Sequence, residues 1–350
     1  MTQFSCLESS IELGPLVEST LPKLLTKTFG SSKKVILVDS NTNEQCLPLL
    51  FTHLDGLENA EIIEIPAGEE NKTMEICFSI WEALSEMEFG RNDLLICLGG
   101  GMICDLGGFM ASIYKRGMNC VYIPTSLLAM VDASIGGKTG VDLGSFKNQL
   151  GTFAEPSHVF VDASFLQTLP EKERLNGLAE MLKHGLIADA EHFEKLGTLS
   201  LENITRELIV ESLQIKTKIV ESDPKEKNQR KLLNFGHTVG HAIEGLFLNS
   251  DQKIDHGLAV AHGILVEAKI SVIKGLLSDK DFERIENTIK ERFPLQCFSE
   301  EENNKFISLM LQDKKRLKGS RFTLLKGIGQ AVFDVKVKDE VVFEALKVLQ

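Results

Sequence analysis

Five short runs rich in Val, Ile and Leu mark out the first half of the chain, and their spacing constrains the fold more than any other feature. They read KVILVDS (34–40), AEIIEIP (60–66), DLLICLG (93–99), NCVYIPT (119–125) and HVFVD (158–162), each bounded by Gly, Pro, Asp or Ser. A helical pattern over 71–89, carrying the only Trp, lies between the second and third. Strands separated by helical segments imply a parallel, doubly wound sheet, because consecutive parallel strands need a crossover long enough to hold a helix. Near 163–170 the pattern changes. Leu169-Pro170 precedes helical runs at 171–188, 201–221, 230–247, 256–275, 280–291 and 301–316. RFTLLK and AVFDVKV around a Gly-Ile-Gly turn then read as a hairpin, and 338–348 as a last helix. The expectation is an α/β chain: a Rossmann-like, mostly parallel domain over 1–168, then a mainly α-helical domain over 169–350.

A chain of 350 residues suits two such domains. It has no uninterrupted run of about 18 apolar residues, so no membrane span is expected. MTQFSCLESSIELG lacks the basic region and apolar core of a signal peptide. Seven Cys without a CxxC, several in strand-like surroundings (Cys97, Cys104, Cys120), read as reduced, buried thiols of a cytoplasmic protein. The net charge of −12 argues against nucleic acid and anionic membrane surfaces as partners. An anionic substrate must therefore be drawn by local cations.

The third apolar run passes into LLICLGGGMICDLGGF, residues 94–109. Gly99, Gly100 and Gly101 follow the strand, and a helix begins just after. Glycines there let a ligand approach the backbone, and a helix N-terminus offers N–H groups to a phosphate. That is the logic of dinucleotide binding, although the spacing is not GxGxxG, and a tight structural turn is the alternative. Asp39 ends the first run, where a carboxylate suits either ribose hydroxyls or a helix cap. A second glycine-rich segment, DASIGGKTGVDLGSFKNQLGTF (132–153), is not a P-loop. Asp132 stands where that motif needs Gly, and the preceding SLLAMV reads as helix. The segment carries Lys138, Lys147 and Asn148, suited to a phosphorylated or carboxylated small molecule or to a solvated loop.

In the second half, residues 230–262 read RKLLNFGHTVGHAIEGLFLNSDQKIDHGLAVAH. His237 and His241 stand four apart amid apolar helical spacing from Leu232, Leu233, Val239, Ile243 and Leu246, so both imidazoles share one face. His256 follows a polar loop and opens another helical run. Three of the eight histidines thus fall within twenty residues. A catalytic zinc takes three protein ligands and keeps an open position. Upstream, Glu180 sits among Leu178, Ala179, Met181 and Leu182, where a carboxylate is costly unless paired or metal-bound. Lys183 and His184 share its face, and a surface Glu–Lys pair is the plain alternative. His262 lies six residues past His256, ~240° around a helix of ~3.6 residues per turn, and is expected to be structural.

These stretches belong to a longer series: GGGMICDLGGF, YKRG, IPTSLLAMVDASIGGKTGVD, FKNQLGTF, FLQTLP, GLAEMLKHG, DPKEKNQRKLLNFGHTVGHAIE, DHGLAV and DKK. In that order, from about residue 34 to 330, they make the sequence resemble the 3-dehydroquinate synthase family, sugar-phosphate cyclases related to glycerol dehydrogenases. The resemblance implies a phosphate-eliminating lyase of the shikimate pathway that converts 3-deoxy-D-arabino-heptulosonate 7-phosphate to 3-dehydroquinate. Transient oxidation, β-elimination, re-reduction, ring opening and aldol closure would follow in turn. It implies a divalent metal, zinc or alternatively cobalt, on Glu180, His237 and His256, with His241 as acid/base group. NAD is implied at Asp39, Glu69, Lys72, Gly99, Gly100, Gly101, Asp105, Thr125, Ser126, Lys138, Lys147 and Thr168. Substrate contacts are implied at Arg116, Lys138, Lys147, Asn148, Lys216, Arg230, Asn234 and Lys314. Catalytic roles are implied for His241, Lys183, Asp132, Lys138, Arg230 and Asn234. The family is dimeric, so Arg116 would reach the neighbouring subunit's site.

A substrate with a carboxylate and a phosphate explains the cations. Arg230 with Lys216 suits the carboxylate, and Lys138, Asn148, Lys314 and Arg116 of the partner subunit suit the phosphate. Two positions depart from the family pattern. Leu258 replaces a common glutamate, removing a carboxylate suited to orienting a metal ligand, and Asn228 replaces a common glycine. Another sugar-phosphate cyclase, a polyol dehydrogenase and a non-catalytic binding relative are the competing readings. Lys216 together with Arg230 favours a carboxylated substrate, and the intact Glu180, Lys183, His237, His241 and His256 favour catalysis.

Overall fold

The computed structural model describes residues 1–144, 146–247, 254–296 and 321–350. The chain forms two compact units, Met1–Arg174 with Thr205–Leu213, and Leu175–Ile204 with Gln214–Gln350.

The strands of the first unit are β1 (Thr2–Cys6), β2 (Ser9–Leu13), β3 (Lys34–Asp39), β4 (Glu61–Ile65), β5 (Leu94–Gly99), β6 (Asn119–Pro124), β7 (Lys138–Leu143), β8 (Phe146–Phe153) and β9 (His158–Val161). Seven of them form one sheet in the order β1-β2-β9-β6-β5-β3-β4. Every neighbouring pair is parallel except the β1–β2 hairpin. The doubly wound α/β sheet expected from the alternation is therefore present. Val35 to Val38 of β3 and Leu94 to Leu98 of β5 are wholly buried, which is why these strands read as unbroken apolar runs. From β3 the chain moves outward to β4, then returns on the other side of β3 as β5 and continues to β6 and β9. The carboxyl ends of β3 and β5, Asp39 and Gly99, thus flank the point where strand order reverses. Open α/β sheets bind ligands at such a point.

Helices α1 (Ser40–Gln45) and α2 (Leu47–His53) follow β3, α3 (Met74–Glu86) follows β4, and α4 (Gly101–Ile113) follows β5. The glycine-rich segment after β6 becomes the antiparallel hairpin β7–β8, with Gly140 opposite Gly151. A Cβ on Gly140 would meet the Leu150 carbonyl oxygen at 2.7 Å, and one on Gly151 the Thr139 carbonyl oxygen at 2.4 Å. These two glycines answer to the close approach of strands, a reason that the linear pattern does not disclose.

The second unit is mainly helical. It holds most of α5 (Glu171–Ala188), α6 (Ala190–Thr198), the end of α7 (Arg206–Ser222), α8 (His237–Phe247), α9 (His256–Ile273) and α10 (Asp279–Arg292). The hairpin β10 (Arg321–Gly327) with β11 (Gln330–Lys336) and the helix α11 (Asp339–Leu346) complete it. The expected run 230–247 is not one helix. A 3-10 turn, Gln229–Asn234, is separated from α8 by Gly236 at φ +80°, a left-handed conformation that ends one helix and starts the next. The helical run expected at 301–316 and the DKK motif, with Lys314 and Lys315, lie outside the described residues.

By length and composition α9 would pass as a membrane span, although it is not an uninterrupted apolar run; 72% of it is buried inside the fold. It packs against α8, α10, α11 and β10, so its apolar circumference is that of a central core helix.

Candidate functional site

Three helices of the second unit bring one carboxylate and two imidazoles together. Glu180 of α5 is fully buried, in a stretch where every residue from Asn176 to Ile187 is buried. His237 opens α8 and His256 opens α9. Their Nε2 atoms lie 3.4 and 3.1 Å from the same oxygen, Glu180 Oε1. The candidate ligand atoms of Glu180, His237 and His256 are all within 4.8 Å of one another. Each imidazole is tied at its other nitrogen: His237 Nδ1 to the Phe235 carbonyl at 3.1 Å, and His256 Nδ1 to Glu244 Oε1 at 3.3 Å. A ring whose Nδ1–H is tied off presents Nε2 to a metal, so the donor set fits a divalent ion with one oxygen and two nitrogen ligands.

The electrostatics agree. Burial alone would push the Glu180 carboxyl up, but the Lys183 ammonium, His237, and hydrogen bonds from both histidines hold it well below the usual carboxylate range. Lys183, one turn along α5, is itself 1% exposed and pairs with Glu180 Oε2. Glu180 is therefore an ionised, buried carboxylate and not the surface ion pair that its spacing to Lys183 also allowed. Burial disfavours a charged His256, yet the bonds to Glu180 and Glu244 outweigh it and raise its pKa to about 10.

Glu244 was not singled out by sequence reasoning. It lies on α8, seven residues after His237, and is 6% exposed. Leu258 brings no carboxylate to His256; the one that bonds its Nδ1 is Glu244. Glu244→Gln is expected to keep the fold and lower metal affinity ~10–100-fold, the usual loss when such an outer partner is changed. A chelator-competition titration checks this.

The ring of His241 lies beside that of His237, centroids 5.2 Å apart and perpendicular, and is exposed. It is not among the converging ligand atoms. His262 is fully buried, with Nδ1 on the Leu258 carbonyl at 2.7 Å and Nε2 on the Gln296 backbone. Both ring nitrogens are bound to main chain, so this histidine is structural.

The cations assigned to the substrate carboxylate are buried, Lys216 at 5% and Arg230 at 2% exposed. Asp223 organises the turn that leads to Arg230, accepting from the amides of Lys227, Asn228 and Arg230 at 3.0, 2.5 and 3.1 Å. Arg230 Nη1 donates to the Pro224 carbonyl at 2.7 Å. Asn228 has φ −140°, outside the left-handed region, so glycine is not required there. Asn234 donates to Glu226 at 2.6 Å.

In the first unit, Gly99–Gly101 form the turn from β5 into α4, and Gly100 is the N-cap residue of α4. The Thr125 amide donates to the Gly99 carbonyl at 2.9 Å, so Thr125 and Ser126 at the end of β6 border this turn. A Cβ at Gly99 would collide with Ile103 at 2.6 Å, so packing requires this glycine as well. Asp39 caps α1 in a capping box with Thr42. Lys72 is buried and bonded to Asp105 (2.6 Å), Asn148 (2.7 Å) and Glu69 (3.3 Å). Burial works against its charge, but the Asp105 and Glu69 carboxylates raise its pKa above the ordinary lysine value. Asn148, implied for substrate, thus joins a cluster of residues implied for NAD. Lys138, Lys147 and Thr168 are exposed, and Asp132 lies half-buried in the turn Ala129–Ala133. Lys115 and Arg116 both have positive φ, 51° and 63°, and present Arg116 outward. Two such residues in succession cost roughly 1–3 kcal/mol each, a strain that clusters at functional sites.

A family model described as 3-dehydroquinate synthase N-terminal matches residues 62–176, and one described as 3-dehydroquinate synthase C-terminal matches 177–316. The chain belongs to the 3-dehydroquinate synthase family. The 3-dehydroquinate synthase of Parabacteroides distasonis is 41% identical, covering 90% of each chain. That of Thermoanaerobacter pseudethanolicus is 38% identical over 93% of each, and that of Pyrococcus furiosus 46% identical over 73% of this chain and 75% of its own. Among solved structures, 2-epi-5-epi-valiolone synthase from Streptomyces hygroscopicus subsp. jinggangensis, with NAD+ and Zn2+ bound, superposes with TM-score 0.83 at 26% identity. It covers all of this chain and 98% of its own. A 2-deoxy-scyllo-inosose synthase complexed with carbaglucose-6-phosphate, NAD+ and Co2+ shares the fold at TM-score 0.84, with 22% identity over 99% of each chain.

Proposed function

We propose that the chain catalyses the 3-dehydroquinate synthase reaction, converting a seven-carbon keto-acid sugar phosphate to 3-dehydroquinate and phosphate. The observation that carries this reading is the convergence of Glu180, His237 and His256, in a chain of this family, beside His241. NAD and a divalent metal would supply reversible hydride transfer and acidification of the hydroxyl to be oxidised. The N-terminal α/β part, 1–168, is proposed to take NAD at the β5–α4 turn. Asp39, Glu69, Lys72, Asp105, Thr125, Ser126, Lys138, Lys147 and Thr168 would border it. The binding of NAD+ and Zn2+ by the valiolone synthase relative supports both cofactors. The helical part, 169–350, is proposed to hold the metal, zinc before cobalt, on the converging trio.

The remaining roles follow from charge and reach. Lys216 and Arg230 hold the substrate carboxylate, Arg230 through its planar fork. Lys138, Asn148 and Lys314 hold the phosphate, with Arg116 contributed by a second subunit of a homodimer, and Lys147 is a further substrate contact. Asp132, Lys183 and Asn234 position the hydroxyls and their protons, and His241 accepts and returns the proton that moves in each oxidation state. A cytoplasmic location belongs to the same reading.

Another sugar-phosphate cyclase would not need two buried cations for a carboxylate, and a polyol dehydrogenase would release NADH in step with product. The deciding assay supplies the seven-carbon phosphate with trace NAD. Phosphate release without net NADH absorbance supports the proposal; stoichiometric NADH supports the dehydrogenase, and no release favours a different cyclase or a non-catalytic relative. Arg230→Ala is expected to lower kcat/KM for the acid by ~2–5 kcal/mol of transition-state binding, as for other truncated buried charge contacts, while NAD affinity stays. Equal loss of both, read by steady-state kinetics and NAD titration, would mean that Arg230 is structural.

A further inference from the structure

The central helix α9 carries one carboxylate in its fully buried stretch, Glu267. A carboxylate in such surroundings persists only where hydrogen bonds replace water. Glu267 Oε2 accepts the Gly236 amide at 2.8 Å, and Oε1 accepts the Val239 amide at 3.1 Å. These are the first amides of α8, which have no carbonyl partner within their own helix. Burial pushes the Glu267 carboxyl up to about 8, and the bonds from these amides oppose that rise; its oxygens face the positive end of the helix dipole. One buried side chain thus does for α8 what a local N-cap residue does elsewhere.

Glycines make the reach short. A Cβ on Gly263 would stand 1.8 Å from the Gly236 carbonyl oxygen, and one on Gly240 would stand 3.1 Å from the Ala259 carbonyl oxygen. The backbones of α8 and α9 are therefore in direct contact, and Glu267, one helical turn past Gly263, meets the start of α8. His237 lies between two residues whose amides Glu267 holds, and His241 follows one turn later. A shift of those amides moves His237 directly.

We propose that Glu267 is a positioning residue of this centre: its carboxylate fixes the first turn of α8, and with it the angle at which His237 meets Glu180 and His256. The inference rests on the reading that this trio holds a metal, and the test separates the two. Glu267→Gln keeps the shape and one acceptor oxygen but turns an NH2 donor against a backbone N–H. The metal-stripped full-length protein, Glu267→Gln and Glu180→Gln are titrated with Co2+ and followed by the visible ligand-field bands. Glu267→Gln is expected to bind Co2+ ~10-fold more weakly, with displaced bands, while its unfolding midpoint without metal stays close to that of the unmodified chain. Parent-like affinity and spectrum in Glu267→Gln, with Glu180→Gln not binding, would overturn the positioning role alone. Parent-like binding by Glu180→Gln would overturn the metal reading beneath it. Should Glu267→Gln not fold, amide hydrogen exchange on the unmodified, metal-free protein decides. Gly236 and Val239 should exchange as slowly as the middle of α8, and fast exchange at both counts against the proposal.

Discussion

Replacing Glu180 by Gln is expected to strip the divalent metal from the purified protein, with metal analysis falling from about one ion per chain to background. The amide is neutral and a weak ligand, so the negative charge on the oxygen where both Nε2 atoms converge is lost. Because Gln has nearly the shape of Glu, the loss reports on ligation and not on a cavity. Glu180→Ala should lose the metal too. Both changes leave the buried Lys183 ammonium without its counter-charge, at a cost of about 3–5 kcal/mol, and Ala adds a cavity and removes the amide oxygen that Gln keeps, so the Ala variant should melt below the Gln variant. His237→Ala and His256→Ala belong in the same series. Full metal occupancy in the Gln variant would sink the ligand assignment, whatever the activity.

Much of the first unit is legible in the sequence because its central strands are buried along their length. β3 and β5 read as continuous apolar runs, and their ends fall within one residue of the expected ones. α5 begins and ends where its pattern predicts, since an amphipathic run after Leu169-Pro170 leaves little freedom. The β1–β2 hairpin is not legible: TQFSC and SSIEL are short and mixed, and β1 is an edge strand with alternating exposure. The β7–β8 hairpin hides behind its glycines, Gly140 and Gly151, whose reason is a strand partner eleven residues away. In the site, the ligand residues show through local spacing, His237 to His241 and Glu180 to Lys183. Glu244 and Glu267 do not, because each acts on a group 12 or 28 residues distant across a helix–helix contact. Such partners follow no period along the chain, and only packing reveals them.

His241→Ala should retain the metal and bind NAD with unchanged affinity, yet lose ~10²–10⁴-fold in turnover, the usual worth of a general acid or base. The geometry separates His241 from the ligands. It stands one turn beyond His237 on α8, its ring perpendicular to that of His237 at 5.2 Å and open to solvent, whereas the ligand atoms converge on Glu180 without it. A cation bound at the trio would disfavour a charged imidazolium beside it, which suits His241 to accepting a proton. The pH profile carries the same signature: the rising limb of kcat/KM that belongs to the neutral imidazole disappears in the variant, while the affinity for metal does not move. The rival assignment makes His237 and His241 joint ligands, as two histidines four apart on a helix often are, with Glu180 only a neighbour. It predicts loss of metal in His241→Ala and retention in Glu180→Ala. Metal content and rate, measured on these two variants side by side, give opposite patterns under the two assignments, and a metal-free His241→Ala protein would overturn the division of roles drawn from the structure.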